Sequence, residues 1–126
     1  MPFAPVTCME NAKKCYEIDD GALHTARFMT ITVKCTDAMK EKCPGVVHVD
    51  GTARPQLIDE ETDPGYYRIV KHFEELTGLP SIVNTSFNMH GEPIVMTPAD
   101  GIRSFVASGL DAMQMGPFIV GQLDQK

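Results

Sequence analysis

Apolar and polar positions follow two periods along this chain, one of about two residues and one of about 3.6. From Phe28 to Cys35 the side chains alternate, with Met29, Ile31, Val33 and Cys35 on one side and Thr30, Thr32 and Lys34 on the other. That pattern predicts a strand with one buried face. Val46–Asp50 reads as a second strand broken by Gly51, and Ala53–Ile58 as an edge strand, since Pro55 cannot donate to a ladder. Ser81–Asn84 and Ala112–Val120 supply two more strands. The helical period is clearest after Asp63-Pro64, an N-cap followed by a first-position proline. There Tyr66, Ile69, Val70, Phe73 and Leu76 recur on one face before Gly78 and Pro80 end the helix. A second helix starts at Thr97-Pro98, with Asp100 placed to close a capping box; it carries Ile102, Phe105 and Val106 and stops at Gly109. A short helix is expected over Cys8–Tyr16, capped by Thr7, with Met9, Ala12 and Tyr16 on one face. Around these lie an extended lead-in to Val6, a loop over Glu17–Ala26, a turn region from Thr36 to Gly45 and a frayed tail from Gln122. Strands alternating with helices predict a mixed α/β sheet with helices packed on it.

Composition narrows the function more than the fold. The 126 residues fit one domain over 1–126, and 43% apolar with 22% charged content is that of an ordinary globular chain. A net charge of −6 disfavours non-specific contact with nucleic acid or anionic lipid. No apolar run approaches the roughly 18 residues of a membrane span. Met1-Pro-Phe-Ala-Pro lacks the basic start and apolar stretch of a signal peptide, so a cytoplasmic location with free thiols is expected. The cysteines at 8, 15, 35 and 43 form no C-x-x-C pair, and the histidines at 24, 48, 72 and 90 have no metal-ligand spacing, so no metal site is assigned. No phosphate-loop, dinucleotide or nucleophile-elbow motif is present. The methionines are expected in the core, and Glu74-Glu75 and Asp59–Asp63 on solvated faces, with Asp59-Glu60-Glu61 alternatively near a cation.

Hydrogen-bonding chemistry concentrates in two places. Ile82–Val95 sets Asn84, Thr85, Ser86, Asn88, His90 and Glu92 between two β-branched pairs, with Gly91 permitting a bend. Such a stretch can simply bond its own backbone to hold a turn. Six polar side chains at the end of a strand exceed what a turn needs, and favour a ligand site. Upstream, Asp50-Gly-Thr-Ala-Arg54 also follows a strand; Gly51 allows close backbone approach, and Arg54 offers a fixed fork for phosphate or carboxylate. A lone arginine beside a turn is commonly just a surface residue. The second polar strand-end stretch shifts the balance toward a site.

The motifs then resemble a family. Pro2-Phe-Ala-Pro5, Val47-His-Val-Asp-Gly-Thr-Ala-Arg-Pro-Gln56, Asn84-Thr-Ser-Phe-Asn88, Gly91-Glu-Pro-Ile-Val95, Thr97-Pro98 and Ser108-Gly-Leu-Asp111 occur in order. Over about residues 2 to 120 they resemble the C-terminal domain of the O-carbamoyltransferases of nodulation-factor and antibiotic tailoring. The resemblance implies a YrdC-like twisted α/β sheet with flanking helices, which consumes ATP with Mg²⁺ and carbamoyl phosphate to form carbamoyl-adenylate. A separate metal-carrying transferase domain then passes the carbamoyl group to a hydroxyl. It implies that Arg54 binds phosphate and that Ser86 lies near the nucleotide or carbamoyl group. Asp50, Thr52, Asn84, Thr85, Asn88 and Glu92 are expected in support, and no tightly bound cofactor is implied.

Where the family places an arginine just before Pro-Phe-Ala-Pro and a lysine further upstream, this chain begins at Met1. The expectation is therefore a partial domain lacking that basic clamp and the transferase domain. Its expected partners are ATP and carbamoyl phosphate, with either a separate transferase-type chain or a second copy of itself. Two readings follow: a carbamoyl-adenylate-forming domain of an O-carbamoyltransferase, or a non-catalytic nucleotide-binding or partner-docking module derived from one. A third is a folded fragment with an uncovered apolar face.

Overall fold

The computed structural model describes residues 3–121. The chain divides into two compact units, residues 1–85 and 86–126. Together their elements make a mixed α/β fold with three small sheets among the described residues.

The first unit opens with β1 (Ala4–Cys8), whose five residues are all buried. A 3-10 turn leads into α1 (Ala12–Cys15), and β2 (Tyr16–Glu17), α2 (Asp20–Leu23), β3 (Val33–Cys35) and α3 (Asp37–Lys42) follow. Then come β4 (Thr52–Ala53), β5 (Gln56–Ile58), α4 (Pro64–Thr77) and β6 (Ser81–Asn84). One sheet has the order β5-β1-β6, with β1 parallel to β5 and antiparallel to β6; the other is antiparallel, in the order β2-β3-β4. The first sheet packs on α4 through Val6, Cys8, Ile58 and Val70, with Tyr66, Tyr67 and Ile82 at the margin. The second encloses a core of Tyr16, Ile18, Cys35, Met39, Ala53 and Leu57, among others.

The caps behave as their residue types dictate. Asp63 accepts from Tyr66 N at 3.0 Å, Pro64 takes the first helical position, and Gly78 closes α4 at φ 72°. In the second unit, α5 (Pro98–Ser108) begins with a reciprocal box: Asp100 N donates to Thr97 Oγ1 at 3.2 Å and Thr97 N donates to Asp100 Oδ2 at 3.1 Å. That unit ends in a hairpin of β7 (Ala112–Met115) and β8 (Phe118–Gly121).

Several sequence expectations give way to tertiary packing. The lead-in before Val6 is instead the start of a central strand: Pro5 lies opposite Val83 of β6, and the parallel ladder to β5 begins one residue later at Val6. Thr7 is not a helix cap. It lies in β1, and its hydroxyl is spent inside the core on Tyr16 and Ser81. The strand expected over Phe28–Cys35 shrinks to Val33–Cys35, because Thr25–Phe28 coil into a 3-10 turn and Met29 sits left-handed at φ 53°. The expected Glu17–Ala26 loop contains α2, and the expected turn region contains α3, capped by Thr36 and anchored by buried Met39. Val46–Asp50 is no strand: Pro44–Val46 form a 3-10 turn and Val49 is fully exposed at the loop tip. The last strand splits at Gly116 (φ 57°) into the hairpin. Of the described methionines, Met39 alone is buried, while Met96 is 89% exposed. The tail from Gln122 lies outside the described residues. All four cysteines are free thiols.

Candidate functional site

In residues 1–85, the Val47–Gln56 stretch folds back tightly around Gly51, whose φ of 80° suits glycine. Gly51 N donates to His48 O at 2.9 Å, His48 N donates to Thr52 O at 2.7 Å, and Cys35 N donates to Gly51 O at 2.9 Å, which ties the loop to β3. Asp50 Oδ1 accepts from both the Thr52 amide (3.0 Å) and the Thr52 hydroxyl (2.7 Å). These two bonds hold the Asp50 carboxyl below its ordinary range, so it is a carboxylate at neutral pH. Asp50 and Thr52 are thus brought together, as structural partners of one turn.

Arg54 follows at the exit of β4. It is half-buried, and its guanidinium makes no hydrogen bond or ion pair among the described residues. The other two arginines of this unit are committed: Arg27 pairs with Asp59 at 3.0 Å, and Arg68 Nε donates to Pro64 O at 3.1 Å. A half-sequestered cation without a partner is unusual, because burial of charge is ordinarily compensated.

Asn84 ends β6, and its Nδ2 donates to Gln56 Oε1. The register explains the contact: on either side of β1, Ala4 faces Asn84 and Val6 faces Gln56. The end of one polar motif therefore bonds the end of the other. Thr85 is exposed.

In the second unit, Asn88 is occupied by its own loop. Its Nδ2 donates to the carbonyls of Met89 and Glu92, both at 3.0 Å, and Val95 N donates to Phe87 O at 3.0 Å. Glu92 accepts from Arg103 Nη2 at 3.3 Å. For these two residues the turn-holding role is the one seen. Ser86 and His90 are exposed, and the Ser86 hydroxyl has no partner among the described residues.

Sequence reasoning assigned no role to His48. Its Nδ1 lies 3.0 Å from Thr52 Oγ1, and its Nε2 is buried without a hydrogen-bond partner among the described residues. The spacing of four residues across an Asp-Gly turn was the signal available. His48 also lines an open cleft of about 600 Å³ with Phe3, Val46, Val47, Val49 and Asp50. Among the described residues no cluster of three His, Cys, Asp or Glu side chains could hold a metal. None of the described helices is long and apolar enough to cross a membrane.

The family described as carbamoyltransferase C-terminus matches residues 1–122. An uncharacterized protein of Methanocaldococcus jannaschii is 39% identical over 119 residues, covering 94% of this chain and 19% of its own length. Nodulation protein NolO of Bradyrhizobium diazoefficiens is 39% identical over 119 residues, again 94% of this chain and 22% of its own. Nodulation protein NolNO of Sinorhizobium fredii is 34% identical over 119 residues, 94% and 17% respectively. The chain spans about a fifth of the length of these relatives.

Proposed function

Because this chain belongs to the carbamoyltransferase C-terminus family, we propose that it binds ATP with its Mg²⁺ and carbamoyl phosphate, and forms carbamoyl-adenylate for transfer to a hydroxyl acceptor. The observation that carries the reading is Arg54, half-buried and without a protein partner among the described residues. Atom balance sets what such a site must manage. Water releases inorganic phosphate from carbamoyl phosphate; a carbamate oxygen then attacks the α-phosphorus of ATP, and pyrophosphate leaves. Charge accumulates on the phosphoryl oxygens in that step, and a fixed guanidinium fork is suited to it. Asp50 and Thr52 serve by fixing the turn that precedes Arg54. The Mg²⁺ arrives as part of the nucleotide substrate. Ser86, with Asn84 and Thr85 before it, is assigned to the nucleotide or carbamoyl group on the resemblance of Asn84-Thr-Ser-Phe-Asn88.

Titration calorimetry of the chain with ATP, with and without Mg²⁺ and carbamoyl phosphate, tests the reading together with pyrophosphate release. Carbamoyl-phosphate-dependent pyrophosphate is the expected result. No heat at millimolar ATP removes it.

A second reading, a partner-docking module, is favoured by the exposure in residues 86–126 of Ile102 (48%), Val106 (66%) and Phe118 (70%). Nucleotide binding without pyrophosphate release would select a non-catalytic nucleotide-binding module, whereas no binding at all removes both nucleotide readings and leaves docking.

A further inference from the structure

From Thr52 to Leu57 burial alternates strictly along the chain. Ala53, Pro55 and Leu57 are buried, while Thr52, Arg54 and Gln56 are half-buried on the opposite face. Pro55 keeps Arg54 extended, so Arg54 and Gln56 share one face, roughly 6.6 Å apart along the strand. Asn84 Nδ2 donates to Gln56 Oε1 and holds that side chain on this face. Gln56 in turn is one wall of a cleft of about 390 Å³, whose other walls include Arg27, Phe28, Thr62, Asp63 and Tyr66. The face that carries the unpartnered Arg54 therefore runs directly into this cleft.

The chemistry of the walls selects the occupant. Phe28 is 59% exposed, and the His24 ring meets it edge-on, with centroids 5.4 Å apart and planes at 70°. An open aromatic surface is thereby fixed in direction. Tyr66 packs at the margin of the α4 core, half-buried, and its hydroxyl has no hydrogen-bond partner among the described residues. Met29, next to Phe28, is left-handed at φ 53°, and strain of this kind in a non-glycine residue gathers at ligand sites. The two charged lining residues are opposite in sign and both occupied: Arg27 pairs with Asp59 at 3.0 Å, and Asp63 accepts from Tyr66 N at 3.0 Å. Among the described residues the cleft thus offers two aromatic rings and no uncommitted charge, which suits a flat neutral group. Resting on the proposed nucleotide reading, we infer that this cleft is the nucleobase subsite. Adenine lies against Phe28 and Tyr66, and Arg54, two residues before Gln56 on the same face, meets the phosphates.

The test compares ATP with inorganic tripolyphosphate, which keeps the phosphates but lacks base and ribose. Wild type should bind ATP more tightly than tripolyphosphate. Phe28→Ala should weaken ATP about 5- to 150-fold, the range for loss of one base–aromatic stack, and leave tripolyphosphate unchanged. Arg54→Ala should weaken both ligands. Photolabelling of the wild-type chain with 8-azido-ATP, which needs no variant to fold, should mark the peptides that carry Phe28 or Tyr66. Label confined to other peptides overturns the inference, and so does an unchanged ATP affinity in Phe28→Ala. Equal affinity of wild type for the two ligands overturns it too, while leaving the binding of ATP itself intact. If neither ligand binds, the proposed function fails and this inference with it.

Discussion

The Tyr16 hydroxyl and Thr7 Oγ1 lie 2.8 Å apart in the interior, joining the antiparallel sheet to the mixed one within residues 1–85. Thr7 Oγ1 donates to Ser81 Oγ at 3.1 Å, and Ser81 Oγ donates to Val6 O at 2.8 Å. With each hydroxyl proton assigned, Tyr16 must be the donor to Thr7. Burial pushes its phenol upward in pKa, so it stays a donor throughout the ordinary pH range. The direction of the chain makes the two ends unequal. Tyr16→Phe removes one bond and leaves the Thr7 proton satisfied, so a loss of about 1 kcal/mol is expected. Thr7→Val strands the Tyr16 donor in the core and should cost more, about 1–3 kcal/mol. Urea unfolding of the two variants checks the order; equal losses would contradict the assigned direction.

Arg54→Ala should separate binding from stability. The residue makes no hydrogen bond or ion pair among the described residues, so its loss should shift the unfolding free energy by no more than about 0.5 kcal/mol. ATP affinity should fall by about 1.5–3 kcal/mol, as for hydrogen bonds to charged groups. Calorimetry and denaturant melts on one preparation give both numbers, and an unchanged affinity would take Arg54 out of the site.

Thiol labelling should resolve the four cysteines by burial. Burial pushes the Cys8 thiol up to about 11 and the Cys15 thiol up to about 12, and raises Cys35 as well. Cys8, Cys15 and Cys35 are buried, whereas Cys43, whose thiol burial also raises, is half-buried and so the most accessible of the four. At pH 8 one thiol should react first and the other three only in denaturant. Cys43→Ser should abolish the early phase.

Helix α5 offers a pH-dependent contribution. The Thr97 hydroxyl and amide both donate to Asp100, holding its carboxyl below the ordinary value of 3.8. A depressed folded value means that the contribution is complete above the unfolded value and disappears as pH falls through the folded one. The stability difference between wild type and Asp100→Asn should therefore be constant near neutrality and shrink below about pH 4. Thr97→Ala should cost about 1 kcal/mol at neutral pH, as for loss of an N-cap. Circular-dichroism melts across the acid range check both.

What the chain's order of residues determined by itself are the features that depend on neighbours a few positions apart. Asp63-Pro64, Gly78, and the Thr97–Asp100 box set both long helices at their ends, because a cap is satisfied within its own first turn. The polar motifs too were legible as local concentrations of donors and acceptors, and the order of motifs sufficed to place the chain in its family. Tertiary structure decided what depends on distant partners. β1 is a central strand despite Pro5 because β5 and β6, some fifty and seventy-five residues later, pair on its two sides. Ile69 and Leu76 share a helical period with Val70 yet are exposed at 49% and 75%, because the sheet covers only part of that face. Asn88 and Glu92 look like ligand donors until the loop and Arg103 are seen to occupy them. His48 shows the reverse: one of four scattered histidines along the chain, it gains a hydroxyl partner for Nδ1, and among the described residues a buried Nε2 without one, only when Gly51 folds the loop back and brings Thr52 beside its ring.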